Sequence, residues 1–142
     1  MAVTKTVTKL TDSEVVVKIA GSAGSATIDL QTDLITAQQA LETTQVVNIT
    51  GVSWTGEITH TITIDRNSVR VMTLNSGAAG NLTFDGQTMA PENINNTSDI
   101  VVTMGGTGEG ECWIKLRKVS GYAPKIETAA YGPYDNPNVV GA

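Results

Sequence analysis

The sequence predicts an all-β protein: an antiparallel β-sandwich or jelly-roll-like barrel of about eight strands, with an extended C-terminal arm. Three observations favour this fold. Apolar and polar residues alternate with a period of two between Trp54 and Leu74, the repeat of a half-buried strand. Similar short runs recur every 8–12 residues or so with turn residues between them, a spacing typical of sandwiches and barrels. Charged residues make up only 16% of the chain, below the roughly 25% of an ordinary soluble domain, and threonine and asparagine supply the polar surface.

The first 30 or so residues predict three strands. Val3–Thr11 alternates lysine with valine, which indicates an edge strand because charge there discourages unwanted strand pairing. Glu14–Ala20 and Ala26–Leu30 form the next two strands, separated by the flexible turn Gly21–Ser25. Their inward side chains are Val15, Val17, Ile19, Ile28 and Leu30.

Thr32–Thr43 is the one stretch with helical spacing. Leu34, Ala37 and Leu41 recur at intervals of three and four residues, and a threonine–aspartate pair at the start can cap a helix. The stretch is short, and short helices are only marginally stable alone. A helix and a non-helical connection therefore both stay open for this segment.

The segment from Val46 to Leu74 has the clearest β pattern. Val46–Trp54 is a strand in which Gly51 marks a bulge. Trp54–Leu74 follows as a hairpin whose turn is the polar run Asp65–Ser68. The inward residues of the first strand are Val47, Ile49 and Val52, and those that share a face of the hairpin are Ile58, His60, Ile62 and Ile64.

Three more strands complete the predicted fold. Leu82–Phe84 is a short strand, and the asparagine-rich run Gln87–Ser98 after it reads as a long loop. Asp99–Met104 and Glu111–Val119 are the last two strands, and Gly105–Gly110 turns one back on the other as a hairpin with positive φ angles. One face of this pair carries Ile100, Val102, Met104, Cys112, Ile114 and Leu116, and the other face of the closing strand carries Trp113, Lys115, Arg117 and Val119.

The composition changes at Gly121, which divides the chain into a β-sandwich domain, residues 1–122, and an extended arm, residues 123–142. The arm is rich in proline, glycine and tyrosine and has no periodic pattern, so alone in water it would be disordered. Tyrosine is enriched at interface hot spots, and we therefore expect the arm to dock on a neighbouring subunit. The predicted contact residues are Tyr122, Pro124, Tyr131, Pro133, Tyr134 and Pro137, with Lys5 and Lys9 of the first strand as a second candidate.

Charge and hydropathy narrow the range of partners. A net charge of −5 and a pI near 4.7 argue against a nucleic-acid partner, since phosphate-binding surfaces concentrate lysine and arginine. No run approaches ~20 apolar residues, and the first residues do not resemble a signal peptide, so we expect no membrane partner and synthesis in a cytoplasm. The single cysteine, Cys112, forms no intrachain disulfide.

Few residues suggest chemistry. His60 is the only histidine and lies mid-strand among threonines, so a structural role is favoured over a base or metal ligand. Cys112 has the phase of Ile114 and Leu116, which favours a buried small side chain over a nucleophile. The run Gly105–Gly110 lacks the Gly-Lys-Ser/Thr of a phosphate loop. We therefore predict no catalytic residue, no cofactor and no metal site.

Two other kinds of site have weaker support. Loop carboxylates could bind calcium, but none has the spacing of an EF-hand loop. Trp54 and Trp113 could stack on sugar rings, although strand tryptophans more often pack in a core or an interface. A small β-sandwich hydrolase would need His60 beside a carboxylate in a pocket.

Four strand-and-turn segments between Val46 and Tyr122 resemble segments of a known class of proteins. They are Ile49–Trp54, Asn81–Gly86, Asp99–Met104 and Ile114–Tyr122. These segments resemble small virion structural proteins of tailed bacteriophages, particularly those of cyanophage-like genomes. The resemblance carries no catalytic signature.

The resemblance implies a β-rich, non-enzymatic virion component. Capsid decoration, or cement, proteins of this size are often trimeric and sit on the capsid shell. The implied partners are the major capsid protein or other virion subunits together with copies of the same chain, and the implied location is the virion. The alternative is a neck, tail or fibre β-domain that recognises host glycan.

Overall fold

The computed structural model describes residues 2–74, 79–83 and 97–124. Those residues contain no helix and form nine strands: β1 Thr4–Leu10, β2 Glu14–Gly21, β3 Gly24–Ile28, β4 Gln39–Gly56, β5 His60–Arg66, β6 Val69–Leu74, β7 Gly80–Thr83, β8 Ile100–Gly106 and β9 Gly110–Pro124. The described part of the chain therefore offers no helical segment with the length and hydrophobicity of a membrane span.

The strands form two antiparallel sheets, which confirms the predicted all-β sandwich. The five-stranded sheet has the order β1-β2-β9-β4-β7, and the four-stranded sheet has the order β3-β8-β5-β6. The side chains between the two sheets make one apolar core. Its fully buried members come from both sheets, as expected when each strand turns alternate residues inward.

The strand pairing is nested around one hairpin. β5 and β6 are joined directly, and outside them β4 pairs with β7, β3 with β8 and β2 with β9, all antiparallel. The chain from β2 to β9 is therefore one long hairpin, rolled up so that β9 also lies against β4, and β8 against β5. This double Greek-key arrangement is the jelly roll. Neither the order of the strands nor this nesting was predicted from the sequence.

The inward faces predicted for the strands are confirmed except at Ile58, which lies in the turn between β4 and β5 and is 86% exposed, so its placement on the face of His60 was wrong. Residues of β2, β4, β5, β8 and β9 alternate between buried and more exposed positions along each strand. The register of β4 against β9 shifts between Ile49 and Gly51, where the bulge was expected. The core includes Val15, Val17, Ile19, Ile28, Val47, Ile49, Val52, Ile62, Ile64, Ile100, Val102, Cys112 and Ile114, all fully buried.

The segment with helical spacing forms no helix. Leu34 is buried, but Ala37 and Leu41 are exposed, so their spacing does not reflect one apolar face. The Asp29 side chain accepts hydrogen bonds from two backbone N–H groups of the turn after it, and Asp33 bonds back to the Asp29 N–H. Short polar side chains that bond nearby backbone in this way favour turns over helices. Further along, Gln39–Leu41 pairs with the end of β9.

Two turns differ from prediction. The β5–β6 hairpin turns on two residues rather than four: Asn67 and Ser68 have φ of 50° and 62°, as a type I′ turn requires. Gly106 and Gly108 have the positive φ expected of the glycine run, but this run joins β8 to β9, which lie in different sheets. It is therefore a crossover between the sheets, and the expectation of a hairpin there was wrong.

Candidate interaction surfaces

The two side chains best suited to catalysis are buried. The ring of His60 is 3% exposed, its Nε2 lies 2.9 Å from the carbonyl oxygen of Ser22, and it packs against Gly110. Burial raises the pKa of the Cys112 thiol to about 12, so this group stays protonated at neutral pH. Within the described ranges no group of three or more histidine, cysteine, aspartate or glutamate side chains could hold a metal ion.

The two lysines of β1 contact groups of the same chain. β1 is the edge of the five-stranded sheet, as predicted. Lys5 lies opposite Ile19 and thus points toward the core side, where its Nζ donates to the Thr27 carbonyl oxygen at 2.8 Å and to Asp33 at 2.6 Å. An irregularity in the β1–β2 register, between Val7 and Lys9, turns Lys9 outward, where it pairs with Glu14 at 3.0 Å. An inward-pointing charge and a bulge both discourage pairing at a sheet edge.

The first predicted arm residues belong to the sheet. β9 continues to Pro124, so Ala123 and Pro124 pair with Ala40 and Gln39. The Tyr122 hydroxyl donates to the carbonyl oxygen of Leu30, and burial raises the pKa of this phenol. Tyr122 is thus held by its own chain on at least one side. The remaining predicted contact residues, Tyr131, Pro133, Tyr134 and Pro137, lie outside the described residues, and their role stays a prediction.

Two buried cations were missed from the sequence. Lys118 is 8% exposed; its Nζ donates to Gln39 at 2.7 Å and lies 4.8 Å from the centre of the Tyr122 ring. Desolvation lowers the pKa of Lys118. Arg66 is fully buried at the end of β5. In the sequence it alternates with the buried Ile62 and Ile64, which places it on the inward face. It was missed because the polar run Asp65–Ser68 was interpreted as the turn of the hairpin.

The outer surface of the five-stranded sheet carries aromatic, acidic and basic side chains together. We call it the Trp113 face and define it as the outward side chains of β2, β9 and β4 around Trp113. Trp113 is half-buried and lies between Lys18 and Ser53 on the neighbouring strands. The Nζ of Lys18 is 5.7 Å from the ring centre, within range of a cation–π contact.

Charge on this face is ordered along β9. Glu111 precedes Trp113 by two residues, and Lys115 and Arg117 follow it at two-residue steps, all on the outward face. Glu111 pairs with Lys18 at 3.4 Å. Lys115 and Arg117 are exposed and, among the described residues, make no ion pair. The face is therefore acidic at one end and basic at the other.

A cleft of about 390 Å³ opens at the acidic end of the Trp113 face. Its lining includes Glu57 and Glu109 from the connections at this end, together with Glu111. The backbone N–H of Glu109 donates to Glu57 Oε2 at 2.7 Å, and the N–H of Glu57 donates to the Glu109 carbonyl oxygen at 3.0 Å. These bonds fix the two connections against each other and hold the Glu57 carboxylate in place.

The outer surface of the four-stranded sheet has a different chemistry. One row of side chains crosses all four strands and carries only hydroxyl groups: Ser25, Thr103, Thr63 and Thr73. The next row contains Asp65 and Arg70, which form an ion pair with each other. This surface is thus close to neutral, as the threonine-rich sequence predicted.

Trp54 lies inward and contributes to packing. It is opposite Cys112 in the register, and its indole ring fills the space above Gly80, where an added Cβ would clash with the ring. The two tryptophans therefore differ, because only Trp113 is on an outer face.

No protein-family model, curated protein or solved structure matches this chain.

Proposed function

We propose that the protein is a non-enzymatic structural component of a phage virion, and that it decorates the capsid shell and stabilises it through subunit contacts. The observation that supports this most is the strand order, a long hairpin rolled into a jelly roll. Viral capsid domains use this architecture. Lectins and cupins use it too, so the support is an analogy of fold, and a binding experiment has to decide the function.

The placement of the reactive side chains supports the same proposal. A hydrolase of this size would need a nucleophile or base open to substrate. His60 is instead committed to the Ser22 carbonyl oxygen, and the Cys112 thiol is buried and protonated at neutral pH.

The proposed mechanism is stabilisation by binding. A protein that binds the assembled shell but not its separated subunits shifts the equilibrium toward the shell by mass action. Many copies at the joints between capsomers would add their binding energies and oppose the pressure of the packaged DNA. In this proposal the partner is the major capsid protein, and the contacts come from the C-terminal segment.

The experiment compares the full chain with a chain that ends at Pro124. The truncation keeps β9 whole, because Ala123 and Pro124 pair with β4. We expect the truncated protein to unfold cooperatively like the full chain but to stop co-sedimenting with capsids purified without it. A matched control keeps all 142 residues and scrambles the order of residues 125–142.

Two outcomes would contradict the proposal. Full-strength capsid binding by the truncated chain would show that residues 125–142 do not make the contact. Electron microscopy of the virion that places the protein on the neck or tail would exclude shell decoration.

A neck, tail or fibre domain that binds glycan is the second candidate. The observation that favours it is Trp113, an outward tryptophan with Ser53 beside it and Asn81 on the next strand. A sugar ring could stack on the indole and bond these polar groups. Binding to purified host polysaccharide that Trp113→Ala abolishes, while Trp54→Phe retains it, would favour this function over decoration.

A further inference from the structure

We propose that two copies of this chain pack through the Trp113 face, antiparallel to each other about a two-fold axis that passes close to Trp113. The proposed contact does not depend on the virion assignment, because it rests on the charges and the half-buried tryptophan between Glu109 and Arg117. It also differs from the arm contact, since it involves only described residues of the sandwich.

From Glu109, just before β9, to Arg117 within it, acidic residues precede Trp113 at the same intervals at which basic residues follow it. Glu111 lies two residues before the tryptophan and Lys115 two residues after it. Glu109 lies four residues before it, at the rim of the same cleft as Glu111, and Arg117 lies four residues after it. At about 3.3 Å per residue, the acidic and basic groups are about 13 Å apart for the inner pair.

A two-fold rotation about Trp113 converts this order into two sets of ion pairs. Glu111 comes to lie opposite Lys115 of the partner subunit, and Glu109 opposite Arg117 of the partner subunit. The rotation repeats both pairs on the other side of the axis, so the contact contains four pairs. An isologous interface requires a patch that is complementary to itself in this way.

The groups needed for these pairs are accessible. Lys115, Arg117 and Glu109 are exposed, and the side chains of Lys115 and Arg117 make no ion pair among the described residues. One intrachain pair competes, that of Glu111 with Lys18 at 3.4 Å. Glu14, the register neighbour of Arg117, is itself paired with Lys9 at 3.0 Å. Both pairs are at the surface, where ion pairs are weak and exchange readily.

The tryptophan at the centre gives the contact an anchor. Trp113 is half-buried, so the partner would complete its burial, and tryptophan is among the residue types enriched at the centres of interfaces. The outer face of the four-stranded sheet offers no such order, since its central row carries only hydroxyl groups. A second copy is therefore the partner that fits the Trp113 face.

The test uses charge reversal and sedimentation of the full chain. We expect the natural protein to sediment as a dimer that dissociates as salt is raised, because exposed ion pairs are screened. Lys115→Glu with Arg117→Glu makes all four of these positions acidic, and Glu109→Lys with Glu111→Lys makes all four basic. Each double variant should dimerise at least about tenfold more weakly, since four attractions become repulsions.

Two controls separate the proposal from misfolding. Mixing the two double variants should give a one-to-one heterodimer, because all four pairs are then opposite in sign. The quadruple variant with all four reversals keeps the net charge of −5 and should again form a homodimer. A natural chain that stays monomeric at all accessible concentrations would overturn the proposal. So would a dimer that the double reversals leave intact, an oligomer of another stoichiometry, or double variants that fold but do not pair when mixed.

Discussion

Arg66 is the largest fully buried side chain of the described residues. Its Nε and Nη2 donate to the Ser98 carbonyl oxygen at 2.9 and 2.7 Å, and its Nη1 donates to the Val47 carbonyl oxygen at 2.7 Å. Val47 lies in the five-stranded sheet and Arg66 in the four-stranded sheet. The guanidinium therefore joins the two sheets and satisfies the carbonyl oxygen of buried Val47 and that of partly buried Ser98.

We predict that Arg66→Met destabilises the fold by about 2 kcal/mol, because the buried Val47 carbonyl and the partly buried Ser98 carbonyl lose their donor and an unsatisfied buried acceptor costs about 1–3 kcal/mol. Urea unfolding measures the effect. Arg70→Met is the matched control: Arg70 is an exposed cation, paired only at the surface, and should change stability by less than about 1 kcal/mol. Equal effects of the two substitutions would contradict the interpretation of Arg66.

Cys112 should be unreactive in the folded protein. Its pKa is raised from 9.0 to about 12, and only the thiolate attacks a labelling reagent. At pH 8 we expect full labelling by a thiol reagent in denaturant and almost none in buffer, and raising the pH to 9 should leave the native rate low. Rapid labelling of the native protein at pH 8 would show that the site opens or that the thiol is exposed.

At the scale of elements, the sequence predicts strands well and connections poorly. Strand faces could be predicted because burial imposes a period of two, as in Ile100, Val102 and Met104 of β8. The connections depend on local bonds or distant partners that the pattern does not contain. The Asp29 turn forms where the sequence left a helix and a non-helical connection open, and the glycine run before β9 joins two sheets.

The β5–β6 turn is strained at its second residue. Ser68 has a φ of 62°, a left-handed conformation that costs a non-glycine residue about 1 kcal/mol. We predict that Ser68→Gly raises the free energy of unfolding by about 0.5–1 kcal/mol. Ser25→Gly, in the extended strand β3, is the control and should lower it, because glycine there only adds entropy to the unfolded chain. Thermal unfolding of both variants shows whether each substitution raises or lowers the free energy of unfolding.

The lysines of the edge strand β1 should differ in effect. Lys5 bonds the β3 carbonyl of Thr27 and also Asp33, so it closes the seam between the edges of the two sheets. We predict that Lys5→Ala lowers stability by about 1 kcal/mol, whereas Lys9→Ala, which loses only an exposed pair, has no measurable effect. Urea unfolding midpoints compare them. If instead both variants keep full stability and lose capsid binding, these lysines act as the predicted partner contacts.

The fold of the whole molecule depends on pairings between distant parts of the chain. β2 pairs with β9 about a hundred positions later, with Val15 opposite Leu116. The alternation of residues along one strand shows which side chains are buried, but it does not show which strand lies beside it. An alternating segment therefore fits equally well at several places in a sheet. A sandwich or jelly-roll-like barrel could thus be predicted from the sequence, but the order in which its strands pair could not. The Trp113 face could be predicted in part, because the alternation that puts Glu111, Trp113, Lys115 and Arg117 on one face of β9 is in the sequence. Which strands lie beside β9 could not be predicted.

The nesting also predicts which end of the domain is essential. β9 lies between β2 and β4 and contributes Cys112, Ile114 and Leu116 to the core. At about 2 kcal/mol for each buried side chain, these three alone contribute about 6 kcal/mol, comparable with the total stability of many domains. β1 is an edge strand without a fully buried residue, and Val7 is its only partly buried one. A chain ending at Glu109 should therefore not fold, whereas a chain beginning at Thr11 should fold with reduced stability. Circular dichroism and the cooperativity of urea unfolding distinguish the two, and a folded chain without β9 would contradict the central position given to that strand.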